Sequence, residues 1–433
     1  MKAGRAFLLC LALALAPMPV PAPAATFADL VDVAGSLAGI RRVTLGSLRV
    51  AGDGSRGITA RALRLHLPTA EDPAYRLTVE RLRDEAEPAR VAPLAFDLEA
   101  RPAADRFLLE GSITLAGTPV RLGFEGAYDR GSGAGVLRLE GRIAFAPGGL
   151  QPARLSPFLA GRIGDTRGGI ALLARIEWGE RTRQLAELTI EDLSFTVAGI
   201  PVSGVRGSIA FERLLPPTTL PGQEITVARI GAGPALERGR ILFALAEGRE
   251  LAVHRLAFAV AGGRLTVRPF TLPLDRPTAT VTADLRGLRL ERLLAEVALP
   301  GLSGEGILDG RLVARIGADG VTIEEGRLAA RGPGRLRYAP EEPPPVGDPR
   351  MAMLLEAIRN FHFTRLEASV EGDLLDELRL SIGLGGSNPD FYEGYPVALN
   401  VTFEGPLGTL LGTGIRTYRL PAEIERRLRK RRR

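Results

Sequence analysis

The sequence predicts an all-β protein of antiparallel strands with a few short helices, built either as one elongated, curled sheet (a β-groove) or as two closed β-sandwiches. Three observations predict it. Apolar residues recur at every second position through most of the stretch from Val43 to Ala339, and again near the C-terminus, and a period of two belongs to strands with one apolar face. The runs are joined by very short links containing Gly or Pro, which suits antiparallel hairpins and leaves no room for strand–helix–strand units. Helical periodicity is confined to a few short segments. The chain has 433 residues, too many for one compact core, and its 45% hydrophobic content is that of a folded protein.

Taken in order, the chain opens with "MKAGRAFLLCLALALAPMPVPAPAATF". Lys2 and Arg5 form a positive region, Phe7 to Ala16 an apolar run, and "APAA" offers small residues for cleavage near Ala25. Residues 1–25 read as a signal peptide, which places the protein in the periplasm or cell envelope. An uncleaved inner-membrane anchor is the competing reading. Ten apolar residues give a helix of about 15 Å, about half a hydrocarbon core, and Pro17, Pro19, Pro21 and Pro23 block its extension. Cys10 lies inside this segment and is the single cysteine, so cleavage would leave no disulfide and no thiolate metal site.

Residues 26–215 form an N-terminal β-rich segment with "YRLTVERLR", "RFLLEGSITLAGTPVRLGFEGAY", "GVLRLEGRIAF" and "LTIEDLSFTVAG". Residues 216–340 form a middle segment with "GRILFALAEG", "HRLAFAVAGGRLTVRPFTLPL" and "TATVTADLRGLRL". A Gly-Arg-Ile/Leu triplet recurs at Gly141, Gly161, Gly239, Gly263, Gly310, Gly326 and Gly334. The expectation is that its Gly closes a turn while Arg faces water. "LERLLAEVA" and "MAMLLEAIRNF" have helical spacing, and "LVDVAGSLAGI" has a weaker version of it. "LLPPTTLPG" and "APEEPPPVGDPR" are proline-rich breaks, with residues 341–350 as a linker. Residues 351–420 hold a short helix and C-terminal hairpins, and 421–433 a basic tail. About 25 strands at about 4.8 Å spacing would make one sheet about 120 Å long. Two closed β-sandwiches split near Pro216 are the alternative.

No constellation for catalysis stands out. His66, His254 and His362 are far apart in sequence and have no carboxylate or second His at ligand spacing. "GLSGEG" has Glu305 where a nucleophile elbow needs Gly, and "GSGAGV" opens no helix. Acidic pairs such as Glu324–Glu325 and Asp373–Asp376 suit solvated turns rather than a glycosidase pair. No cofactor, no metal and no enzyme activity are expected. The net charge of +6 is carried by the last nine residues, and the positive region at the N-terminus adds two more, leaving residues 26–424 at −2. Basicity is therefore local, which argues against a nucleic-acid partner. Arg426, Arg427, Arg429 and Arg431 in the tail suit contact with anionic lipid headgroups, worth at most about 1 kcal/mol each, or a merely solvated end.

The last strands define the candidate site. In "LRLSIGLGGSNPDFYEGYPVALNVTFEGPL", Leu378, Leu380, Ile382 and Leu384 point one way along the first run. Val397, Leu399, Val401 and Phe403 do the same along the second.

From about Pro269 to Leu411 the sequence resembles the YdbH-like family. The resemblance is carried by "LRGLRLERLLAEVALPGLSGEGILDGRLVARIGADGVTIEEGRLAARGPGRLRY", by "AIRNFHFTRLEASVEGD", and by Asn388-Pro389 and Gly394-Tyr395-Pro396-Val397 ahead of the last strand. YdbH-like proteins are similar to the AsmA and TamB group of bridge-like envelope proteins. The resemblance implies a curled sheet whose apolar inside conducts phospholipid between the inner and outer membranes of a Gram-negative cell. It also implies a small outer-membrane lipoprotein as partner at the C-terminal end. On this reading the eight residues above line the lipid groove near its exit. The alternative is a structural or interaction protein of the envelope that pairs by strand addition without moving lipid.

Overall fold

The computed structural model describes residues 41–405, apart from 51–57, 86, 88, 90, 198, 215, 232–233, 298–299, 318–319, 342–354, 374–376, 392–393 and 395. The signal segment, the proline-rich stretch 342–350 and the basic tail with Arg426, Arg427, Arg429 and Arg431 lie outside these residues. So do "LVDVAGSLAGI" and the first four residues of "MAMLLEAIRNF".

The described chain is 24 strands of one sheet. They are β1 (Arg42–Val50), β2 (Ile58–His66), β3 (Tyr75–Asp84), β4 (Leu94–Ala103), β5 (Arg106–Leu115), β6 (Arg121–Asp129), β7 (Gly135–Phe145), β8 (Ile163–Trp178), β9 (Arg183–Val197), β10 (Ile200–Leu214), β11 (Pro217–Thr219) and β12 (Gln223–Ile230). There follow β13 (Leu236–Ala246), β14 (Glu250–Val260), β15 (Gly263–Val267), β16 (Phe270–Pro273), β17 (Ala279–Arg289), β18 (Leu302–Glu305), β19 (Ile307–Gly317), β20 (Gly320–Ala330), β21 (Gly334–Tyr338), β22 (Phe361–Asp373), β23 (Leu378–Ser387) and β24 (Val397–Gly405). The sheet is antiparallel and open. Among the described residues β1 pairs only with β2, and β24 only with β23. The two closed sandwiches do not form, because β10 pairs with both β11 and β12 and carries the ladder past Pro216. Antiparallel neighbours joined by short turns are what the hairpin spacing dictates.

Two compact units make up the chain. The first holds residues up to Ile230 with Arg238–Arg255 and Thr271–Asp275, and the second holds Gly231–Glu237, Leu256–Phe270 and the residues from Arg276 on.

In the first unit the ladder runs from β1 to β12. Its strands β8, β9 and β10 are 16, 15 and 15 residues long. All three lose register at one level, around Gly164–Gly169 and Val202–Gly207, where Asp165 and Asp192 take positive φ. Bulges at one level in consecutive strands bend the ribbon there. A short helix, α1 (Pro152–Leu155), precedes β8. Leu155 packs with Leu115, Val120, Phe145 and Leu150 at one end of the apolar face. Gln151 fixes this turn by donating to the carbonyls of Ala146 and Thr166 and accepting from the Thr166 N–H at 2.8 Å.

In the second unit β15, β17, β19, β20, β22, β23 and β24 pair in that order. "LERLLAEV" is helical as expected and forms α2 (Leu290–Val297). Its Leu290, Leu293 and Leu294 pack on the apolar cluster around Phe361, Phe363, Leu366 and Leu384.

The Gly-Arg-Ile/Leu triplets require a correction. Gly161 does sit in a turn with φ of 72°. Gly141, Gly239, Gly310 and Gly326, however, lie inside β7, β13, β19 and β20. At two of these a leucine from the paired strand lies where a Cβ would be, Leu122 over Gly141 and Leu312 over Gly326, while at Gly310 the Arg327 carbonyl comes closest. At the first two, glycine is there to let leucine lean across the ladder, which a turn reading of the triplet misses.

Candidate functional site

Alternation gives the sheet two chemically opposite sides. In each unit one side is a ladder of ion pairs. Arg76 meets Asp72 and Glu99, Arg311 and Arg268 meet Asp284, Arg331 meets Asp309, and Arg379 meets Glu404 and Glu371. A hydrogen bond from Arg311 holds the Asp284 carboxyl below its ordinary value, against the opposing effect of burial. Arg331 and the Gly287 N–H do the same to Asp309. These pairs are solvent-exposed and each is worth little. Their effect is to fix which side faces water.

The other side is apolar in unbroken rows, because residues directly opposite each other in an antiparallel ladder share a face. In the first unit one row runs Leu45, Leu63, Val79, Phe96, Ile113, Leu122, Gly141, Leu172, Leu188 and Ile209. A second runs Val43, Leu65, Leu77, Leu98, Gly111, Phe124, Leu139, Ala174, Ala186 and Phe211 across the same strands. No charged residue interrupts either row.

The rows are not equally covered. Leu63, Phe96 and Ile113 are buried and Val79 is 0% exposed, whereas Leu122, Gly141, Leu172, Leu188 and Ile209 are half-buried. The buried set belongs to one cluster that draws side chains from β2 to β8. A strand residue on a one-sided sheet cannot be sealed by its own strand, so side chains of the same face lie over one another there. The uniformly open face suggested by the sequence therefore holds only in part: sealed around Val79, open from Leu122 to Ile209.

The second unit repeats this design. One row runs Phe258, Leu265, Leu285, Gly310, Leu328, Ala368, Ile382 and Val401. The next runs Leu256, Val267, Ala283, Leu312, Gly326, Val370, Leu380 and Phe403. Cover again falls away toward the last strand, from buried Phe258 and Val267 to half-buried Val401 and to Phe403, which is 36% exposed.

The eight residues singled out at the C-terminus all lie on this apolar face. Leu380 stands opposite Phe403, Ile382 opposite Val401 and Leu384 opposite Leu399, while Val397 faces Gly386 and Leu378 faces Gly405. Leu378 and Leu384 are buried, and Ile382, Val397 and Leu399 pack against the cluster around Phe363. Alternation in the sequence misses the larger open surface in the first unit, because nothing in a run of alternating leucines tells which one will be covered.

The Asn388-Pro389 pair acquires a structural role. The buried Asn388 donates from Nδ2 to the Glu356 carbonyl at 3.0 Å and accepts the Asp390 N–H at 2.9 Å. It ties the β23–β24 connection to the turn before β22. Asn388→Ala is expected to cost about 1–3 kcal/mol, since it leaves a backbone carbonyl and an N–H unpaired. Chemical denaturation of the full chain measures this.

Of the three histidines, His362 lies within 3.2 Å of the Asn360 side chain, His254 is exposed, and His66 lines a small cavity with Arg41, Arg42 and Arg76. No helix among the described residues is long and apolar enough to cross a membrane.

No curated protein and no solved structure matches the chain. A family model described as "YdbH-like: Intermembrane phospholipid transport protein YdbH" matches residues 12–429. The match extends well beyond the region from Pro269 to Leu411 and takes in the N-terminal half with its own uncharged rows. Carrying one open antiparallel sheet and a family match over nearly its whole length, the chain belongs to the YdbH-like family.

Proposed function

We propose that this protein is a non-enzymatic conduit that carries phospholipid between the inner and outer membranes, with acyl chains lying on the apolar face of its sheet. The observation that carries the reading is the pair of uncharged rows across ten successive strands of the first unit. A diacyl lipid taken from a bilayer exposes about 30 methylenes, at about 0.8 kcal/mol each, or roughly 25 kcal/mol. A polar cleft cannot offset that. A uniform aliphatic surface can, and uniformity also avoids a deep minimum that would stop movement. We place the protein in the periplasm, between the membranes it would serve.

Photo-crosslinking in cells tests the reading. A photoreactive residue at Leu172, Leu188, Ile209, Leu380 or Val401 is expected to capture phospholipid. The same residue at Leu173 or Leu185, exposed leucines on the opposite side of β8 and β9, is expected to capture none. Asp at both Ile382 and Val401 should abolish capture at Leu380. Equal lipid capture on both sides, or none on either, rejects the conduit.

Strand addition by a partner at the C-terminal end is compatible with the conduit and has its own support. No described residue pairs with the outer edge of β24, and an open edge is a template for another chain. We assign the small outer-membrane lipoprotein implied by the family resemblance to this edge. Proline substitutions at alternate positions of β24 should weaken that contact while leaving lipid capture at Leu188 intact.

A further inference from the structure

Among the described residues, two buried side chains have a polar atom with no hydrogen-bond partner: Tyr128 through Oη and Trp178 through Nε1. They are 8% and 6% exposed. They are also neighbours in the ladder. Tyr128 stands opposite Gly135, and Gly135 stands opposite Trp178. The indole lies over that glycine, where any Cβ would collide with it. Phe107, opposite Tyr128, continues the row; Tyr75 packs edge-on against it with ring centroids 5.6 Å apart, and the Arg130 guanidinium sits 5.2 Å above it.

This row lies at the ends of β6 and β8 and the beginnings of β5 and β7, on one rim of the first unit. The chain is poor in aromatics, at 5%, and Trp178 is its single tryptophan. Rings with one polar atom are the side chains that settle where hydrocarbon meets a polar layer. Two donors left unpaired inside an apolar cluster are costly, and an acyl chain cannot supply what they lack. The indole N–H can only donate, so the missing partner is an acceptor. The cavity lined by Arg41, Arg42, His66 and Arg76, about 380 Å³ in volume, lies at the same strand ends and also touches Ala74, the residue before Tyr75. Asp72 lines it too and pairs with Arg76, and Arg42, His66 and Arg76 alternate onto the charged side of the sheet, so the cavity marks this end as polar on the side opposite the two donors.

We propose that this rim is the station at which the glycerol-ester level of a diacyl phospholipid is held, Tyr128 Oη and Trp178 Nε1 donating to ester oxygens that displace the rim of the cluster, while the acyl chains continue onto the half-buried face at Leu139 and Leu122. The proposal rests on the conduit reading and names where along the first unit the polar–apolar junction of the lipid sits.

The lone tryptophan makes the test direct. The full chain is loaded from phosphatidylglycerol–phosphatidylethanolamine vesicles whose lipids are brominated either next to the ester or next to the terminal methyl. Bromine near the ester is expected to quench Trp178 emission more strongly than bromine near the methyl end. Equal quenching, or stronger quenching from the methyl end, overturns the station. A response reproduced by glycerol phosphate alone also overturns it, because the site would then be a phosphate site without an ester preference. Lipid found bound by mass spectrometry without quenching from either isomer rejects the station and leaves the conduit standing; no bound lipid at all rejects the conduit and the station with it. Tyr128→Phe removes one donor with almost no change of volume. It should leave the fold as stable or more so and weaken lipid retention by about two- to tenfold. Unchanged retention assigns Tyr128 to the core alone and overturns its part in the station.

Discussion

Phe363→Ala lowers the stability of the second unit by about 3–5 kcal/mol, an expected loss at the top of the range for truncating a buried aromatic. The size follows from what surrounds the ring. Phe363 is 1% exposed and belongs to the cluster with Phe361, Leu366 and Leu384. On one side it pairs with Gly334 and on the other with Gly386. Its ring tip occupies the space that side chains at Gly306 and Gly334 would fill. Glycine neighbours have nothing to swing into a vacated volume, so the cavity stays open and the cost of truncation is not relieved by collapse. Phe363→Leu, which keeps most of the volume, should cost only about 1 kcal/mol. Urea unfolding of the full chain, followed by circular dichroism, reads both. A loss below about 1 kcal/mol for the alanine variant would mean that the cluster reorganises and that the glycines are not its fixed walls.

Phe363 also shows what a reader of the sequence could and could not obtain. The alternation in "FHFTRLEASVEGD" places Phe361 and Phe363 on one face, and they are found there. The same reasoning sets all eight C-terminal residues on a common face, because a one-residue slip between β23 and β24 would turn one set of apolar residues to the other side. The partners across the ladder are another matter. Gly334 belongs to a triplet that looks like a turn, and its use as a seat for a phenyl ring becomes visible only when β21 is aligned with β22. Trp178 and Tyr128 are 50 positions apart in the sequence, and only the run of β6, β7 and β8 makes them neighbours. Cover was the least legible property. Leu63 and Leu188 both sit in alternating runs, yet one is buried and one is not. The difference comes from which part of the face the cluster around Val79 draws together, Leu63 lying inside it and Leu188 outside, and no composition or period announces that.

That difference in cover yields the second large effect. Val79 and Leu188 lie in one row, and both are aliphatic strand residues of the same face. In an ordinary sealed core a carboxylate would be equally ruinous at either. Here Val79→Asp buries a charge where exposure is 0%, with apolar side chains on every side, and about 3–5 kcal/mol is the expected loss for an uncompensated buried charge. Desolvation raises the folded-state pKa of that new carboxyl above its unfolded value, so lowering the pH through the folded pKa relieves the loss. Leu188→Asp places the charge on a half-buried strip from which it reaches water, and about 1 kcal/mol of lost apolar burial is expected. The functional consequence runs the other way. A charge at Leu188 stands beside Leu172 and Ile209 in the middle of the open strip, and an acyl chain passing there must desolvate it. Thermal melting should therefore separate the two variants by several kcal/mol in favour of Leu188→Asp, while phospholipid capture by a photoreactive Ile209 disappears in that better-folded variant. A Leu188→Asp protein that melts as badly as Val79→Asp would make the strip part of a closed core. One that keeps full lipid capture would move the path elsewhere on the sheet.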